Sequence, residues 1–187
     1  MCENSIFIQN ITVMKKIIYV LSFLMSFGLV AQTTYLYCGQ VFDSSSGKMK
    51  KEQTIVVEGN LITEINKGYT AADSDAIQLI DLKTKTVYPG FIDMHVHIES
   101  ESNPQAYLNR YRLNEADVAY DAAVYAKRSL MAGFTSVRDM GGSGVNIALR
   151  NAIAKGKTPG PRIFTAGKTL ASTGGDCDPT KGKKAAF

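Results

Sequence analysis

Residues that favour strands run from Tyr35 to Phe42 and again from Thr54 to Ile65, and in TIVVEGNLITEI the pair Gly59-Asn60 separates two apolar runs. That pattern predicts a tight hairpin. IQLIDLKTKTVYPG adds two more short strands around Asp81 to Lys85, so residues 34 to 88 read as a small antiparallel β unit. After Pro89 the pattern changes. An apolar strand, Phe91 to Val96, is followed by a helical stretch from about Asn114 in which Val118, Ala122, Ala126 and Leu130 recur every four residues as one buried face. Asn114 can cap the start of that helix, and Gly133 can end it. FTSVRD (Phe134 to Asp139), the GGSG at Gly141 to Gly144, a helix with Val145, Leu149, Ala152 and Ile153 on one face, and RIFTA (Arg162 to Ala166) complete a βαβαβ order. Strands joined by helices of this length run parallel, which leaves a doubly wound sheet or a (β/α)8 barrel.

The start of the chain does not belong to this pattern. Lys15-Lys16 precede a fifteen-residue apolar run, Ile17 to Ala31, that ends in small residues before Gln32. The run is shorter than the roughly 20 residues of a spanning helix and no basic stop follows it, so an exported protein with a signal peptide is expected, periplasmic or extracellular, its only membrane contact being the export signal, with an uncleaved anchor as the alternative. Residues 1 to 13 lack the basic character of a signal start, which makes Met14 the alternative initiator. The expected organisation is therefore 1–31 leader, 32–88 amino-terminal β domain and 89–187 an α/β portion.

Composition is that of a globular protein: 187 residues, 45% hydrophobic and 20% charged, with a net charge of +4. Without Lys15, Lys16 and Glu3, the 21 basic and 17 acidic residues become 19 and 16. So weak an excess argues against a nucleic-acid partner. Lys181, Lys183 and Lys184 read as a solvated tail. Of three cysteines, Cys2 falls in the leader, and no spacing suits a zinc knuckle. Cys38 and Cys177 could pair in an exported chain, a question the sequence leaves open.

The two histidines of the chain, His95 and His97, both lie in PGFIDMHVH, residues 89 to 97. Strict alternation would put Phe91, Asp93, His95 and His97 on one face and Ile92, Met94 and Val96 on the other, against the helices. The imidazoles would then stand about 6.6 Å apart at the carboxyl end of the strand, where α/β barrels carry their chemistry. Two neutral imidazoles suit a divalent metal such as zinc. Asp93 could support a ligand histidine or sit in a polar layer. Arg138 and Asp139, at the end of the next strand, could orient substrate or form a structural pair. The Gly141 to Gly144 run is not a phosphate loop, since no Lys-Ser/Thr follows at the required spacing.

PGFIDMHVH resembles the first barrel strand of the amidohydrolase superfamily, with its HxH metal pair. TIVVEGNLITEI and IQLIDLKTKTVYPG resemble that superfamily's amino-terminal β domain. AGFTSVRDMGG (Ala132 to Gly142) and GPRIFTAGKTLASTGG (Gly160 to Gly175) are similar to its branch of imidazolonepropionase-like and Xaa-Pro or Xaa-Arg dipeptidase-like hydrolases. The resemblance implies a partial (β/α)8 TIM-like barrel, about its first three βα units, after the small β domain. It implies metal-dependent hydrolysis of a carbon–nitrogen bond in a small amide or dipeptide, with His95 and His97 holding one of one or two divalent ions, zinc foremost. A cyclic-amide hydrolase, a deaminase and a catalytically silent fragment are the alternatives. The family's remaining ligands, a carboxylated lysine, two further histidines and an aspartate, come from later strands, so no catalytic or substrate-binding residue is assigned in this portion. A homo-oligomer is an open expectation. One departure stands out: relatives usually carry histidine after TGG, whereas this chain has Asp176 and Cys177, with Asp176 best read as a turn residue.

Overall fold

In the computed structural model, Gln32 to Gly175 and Asp178 are described. The leader, Asp176, Cys177 and the terminal lysines lie outside these residues, and so do the expectations attached to them. The chain divides into two compact units, one up to Val87 and one from Tyr88.

The first unit is a four-stranded sheet in the order β3-β2-β1-β4, formed by β1 (Thr33–Asp43), β2 (Lys48–Glu58), β3 (Leu61–Lys67) and β4 (Ile77–Val87). The expected hairpin is present, with Glu58 opposite Leu61 across Gly59-Asn60. Two details differ from expectation. The sheet is mixed, because β4 pairs with β1 in parallel, and the two short strands are one long strand whose register slips between Cys38 and Gln40. Gly39 lies at that slip, against the Lys83 carbonyl. Cys38, Val41 and Ile55 form the core of this unit, with Leu36, Val57, Leu82 and Val87 packed around them. Cys38 is a free, buried thiol, not half of a disulfide.

The second unit is a parallel sheet in the order β5-β6-β7, made of β5 (Phe91–Val96), β6 (Phe134–Asp139) and β7 (Arg162–Thr165). Between β5 and β6 lie a short helix the sequence pattern does not announce, α1 (Ala106–Arg112), and the expected α2 (Glu115–Met131); α3 (Val145–Ala154) precedes β7. The Asn114 side chain accepts from the Ala116 and Asp117 amides while Asp117 accepts from the Asn114 amide, a complete capping box. Gly133, at φ 97°, follows the C-cap of α2, in a backbone region other residues rarely adopt.

Ala122 and Ala126 of α2, Leu149 of α3, Val137, Ile163 and Ile98 share one core. Full burial of a Val, Leu or Ile side chain contributes about 1.5–3 kcal/mol, so this cluster is what fastens the helices to the strands. Strands that neighbour each other in chain order, with α2 and α3 packed into a single core on one face, are the arrangement of a barrel wall. A doubly wound sheet would reverse its strand order and place helices on both faces.

Candidate metal centre

Along β5 the alternation breaks. Asp93 pairs with Val137 and Val96 with Asp139, so three steps of β5 span two steps of β6. The excess sits at Met94 and His95, whose backbone groups find partners outside the ladder. The Asp93 carboxylate accepts from the His95 amide at 3.0 Å, and Arg138 Nε donates to the Met94 carbonyl at 2.7 Å. This is the physics of a β-bulge, which re-aims side chains while its backbone is satisfied by other means.

Val96 packs against the helix-side core beside buried Ile98, as expected, whereas Ile92 and Met94, expected there as well, are 63% and 54% exposed and stand outside that core among the described residues. His95 and His97 are both exposed, with ring centres 5.6 Å apart and planes at 66°. Asp93 supports the backbone of His95. Arg138, read from sequence as either substrate-orienting or structural, has its Nε committed to the strand next door.

His97 Nδ1 lies 2.8 Å from the Gly141 carbonyl. A carbonyl only accepts, so Nδ1 carries the proton and the Nε2 lone pair of the neutral ring is left free. Metal-bound histidines ordinarily have this arrangement, in which the far nitrogen donates to a fixed acceptor.

The loop bearing that carbonyl is held from three sides. Buried Asp139 accepts from the Gly141 amide at 3.2 Å through Oδ1, and from Asn146 Nδ2 at 2.7 Å and Thr165 Oγ1 at 3.0 Å through Oδ2. Asn146, also fully buried, donates to the Gly167 carbonyl at 2.8 Å as well. Glu99 accepts from the Ser143 and Asn146 amides at 2.6 Å each, an internal carboxylate on the first turn of α3. Gly142 leaves room for that carboxylate, which a Cβ there would overlap and push aside. Sequence reasoning did not find Glu99, Asn146 or Thr165. The only trace they leave is a polar side chain close to a Gly-rich turn.

Among the described residues no group of three or more His, Cys, Asp or Glu side chains could hold a metal ion. What the residues fit is two positions of a divalent-metal site: two exposed imidazoles on one strand end, one with its free nitrogen already selected. Asp178 is buried and closes the turn at Gly174, where its carboxylate accepts the Gly174 amide at 2.7 Å.

The profile of the amidohydrolase family matches residues 86–186, from the end of β4 through the whole second unit. The chain belongs to this family. It is 41% identical to a Xaa-Pro dipeptidase crystallised with methionine in its active site, with a TM-score of 0.72 over 82% of this chain and 37% of that one. A prolidase in complex with N-methylphosphonate-L-proline is 37% identical, with a TM-score of 0.64 over 76% of this chain and 34% of the other. The dihydroorotase of Pelobacter propionicus is 30% identical over 145 residues, 74% of this chain and 30% of that protein. The chain thus spans about a third of the length of the relatives it matches. The likeness agrees with the strand order in assigning the second unit to the first part of a (β/α)8-type barrel.

Proposed function

We propose that this chain supplies the first strands of an exported, metal-dependent hydrolase that cleaves the carbon–nitrogen bond of a small amide or dipeptide. The observation that carries the reading is the His95–His97 pair, with Nδ1 of His97 tied to Gly141 and its Nε2 free. In this reading both imidazoles hold one divalent ion, zinc foremost. The metal, when bound, supplies Lewis acidity and an activated water. The chain's own contribution is placement: the end of β5 presents both rings exposed and side by side, and the Gly141 loop fixes one of them.

The dipeptidase and the prolidase, the relatives of higher identity, favour a dipeptide-like substrate. The dihydroorotase match keeps a cyclic-amide hydrolase as the second reading. Export is proposed on the apolar run Ile17 to Ala31, and intact-mass analysis of secreted material should find Gln32 at the amino terminus.

The decisive experiment uses the protein that carries this chain together with a complete barrel. His95→Ala and His97→Ala should each lower metal content and reduce dipeptide hydrolysis by at least about 100-fold, since loss of a ligand costs more than loss of a supporting residue. Met94→Leu, which conserves volume on an exposed side chain, should change neither. Normal metal content in both histidine variants would refute the assignment.

A further inference from the structure

We propose that Asp139 is a positioning residue for His97: by fixing the Gly141 carbonyl, it selects the imidazole tautomer whose Nε2 is free to bind metal. The role rests on the metal reading of His97, but it concerns residues that touch neither metal nor substrate.

The chain of contacts is continuous and short. Asp139 is the last residue of β6 and 1% exposed; its Oδ1 accepts the Gly141 amide, which fixes the peptide entering Gly141, while the Gly141 carbonyl, part of the peptide leaving it, faces His97 Nδ1. Its Oδ2 takes two further donors, Asn146 Nδ2 from α3 and Thr165 Oγ1 from β7. One carboxylate therefore ties the β6–α3 loop to the next helix and the next strand. The Met140 amide donates to the Val96 carbonyl at 2.9 Å; the Gly142 amide, in the same peptide as the Gly141 carbonyl, donates at 2.8 Å to the Gly167 carbonyl, which also accepts from the Asn146 Nδ2 that Asp139 holds.

Only a carboxylate satisfies this site. Three donors converge on two acceptor oxygens, and an ionised Asp offers acceptors alone. An amide at 139 keeps the shape but turns an NH2 group toward either Gly141 or Asn146, so at least one buried donor is left facing another donor. Asn146 has a buried Oδ1 without a partner, but turning it toward residue 139 would swing Nδ2 away from the Gly167 carbonyl and break that bond instead. The first contact to yield is the weakest, the 3.2 Å bond to the Gly141 amide. With the peptide entering Gly141 free to tilt, and the Asn146–Gly167 link that holds the next peptide disturbed at the same carboxylate, the Gly141 carbonyl no longer dictates which nitrogen of His97 is protonated.

The test reads the tautomer directly in the metal-free 187-residue chain, labelled with 15N and 13C at its two histidines, by solid-state NMR, which tolerates association. Spectra are recorded at about pH 9, above the ordinary imidazole range. His97 is assigned by its absence from His97→Gln. The native chain should show His97 as the Nδ1–H form. Asp139→Asn should lower the ratio of Nδ1–H to Nε2–H at His97 by about five-fold or more, the worth of one lost hydrogen bond. Thr165→Val removes only the hydroxyl bond to Asp139 and keeps the side-chain shape, so it should shift the same ratio in the same direction by a smaller factor. A purely structural residue would lower the melting temperature and leave the tautomer of the folded chain unchanged. The proposal is overturned if His97 is Nε2–H in the native chain, or if it stays wholly Nδ1–H in every one of the two variants that folds. No metal enters this readout, so its failure is separate from failure of the metal assignment, which the histidine variants of the complete protein decide.

Discussion

Gly39 stands where β1 is crowded from both sides. Glu52, across from it on β2, has the left-handed φ of 51°, and on β4 the Lys83 carbonyl fills the space a Cβ would need. The obstruction is backbone, which cannot rotate aside as a side-chain tip can. Gly39→Ala should therefore destabilise the protein by about 2–3 kcal/mol, the usual range of overpacking, visible as a lower urea midpoint. Gly142→Ala should cost less stability, because the clashing group is the movable end of Glu99, but it should weaken that residue's two bonds to the start of α3. Next to Gly39, Cys38 is fully buried, and burial pushes its thiol above the ordinary cysteine range. A raised pKa means less thiolate, and the thiolate is what reacts. Iodoacetamide should accordingly label Cys38 only as fast as the sheet opens, with peptide mass spectrometry showing a steep rise in rate near the urea midpoint; rapid labelling of the native chain would contradict the packing. At this scale His95 and His97 stand out by type and spacing, and the resemblance of PGFIDMHVH gives the pair its meaning. Asp139 also stands out, as a substrate-orienting or structural residue, but its link to His97 does not, since Asp139, Asn146 and Thr165 meet only after three elements assemble.

The elements that could be read from sequence are those whose determinants are local. The four-residue apolar repeat of α2, its Asn114 cap and the Gly59-Asn60 turn each lie within a few positions of the structure they specify. Asn114→Ala, which removes acceptors for two amides and half of the capping box, should lower stability by about 1 kcal/mol. The β1–β2 turn gives a pH-dependent counterpart. The Lys50 ammonium beside Asp43 at 2.8 Å, then the hydroxyls of Ser45 and Ser46, hold its carboxyl well below the usual carboxylate range. The folded state therefore binds this proton less readily than the unfolded state. The stabilisation is complete above the ordinary Asp pKa of about 3.9 and is lost as pH falls toward the folded-state value. Because the Lys50 partner is exposed, the effect is small; Asp43→Asn should flatten the acid limb of the stability curve below about pH 4 and leave its shape near neutrality unchanged. Other elements escaped the sequence reading for the opposite reason. β4 joins β1 in parallel across an interval that no local pattern encodes. The bulge in β5 depends on an Asp93 contact with the His95 amide and on Arg138 from the neighbouring strand, neither of which period-two counting can see. α1 has no side-chain cap and no sustained apolar repeat to announce it.

For the whole molecule, the sequence left a doubly wound sheet and a barrel both open, and the consecutive order β5-β6-β7 with helices on one face decides for the barrel wall. Three strands of such a wall do not make a closed site. A catalytic zinc commonly takes three protein ligands and a water, and this chain has His95 and His97 as its only histidines, with no group of three potential ligands among the described residues. The 187-residue chain by itself is therefore expected to bind zinc weakly and to hydrolyse no dipeptide at a measurable rate. Its surface argues in the same direction. Ile92, Met94 and Phe164 are each more than half exposed, and β7 is an edge strand of the described sheet, so apolar surface and unpaired backbone groups lie side by side. Sedimentation should show the isolated chain associating as its concentration rises. A version extended by further barrel strands should be monodisperse or form a defined oligomer, hold zinc through dialysis and turn over substrate. Both would be assayed under the same zinc supplementation. Comparable turnover by the short chain would require a metal site completed by Asp176, Cys177 or a second copy, and the reading of His95 and His97 as two ligands of a larger set would then have to be abandoned.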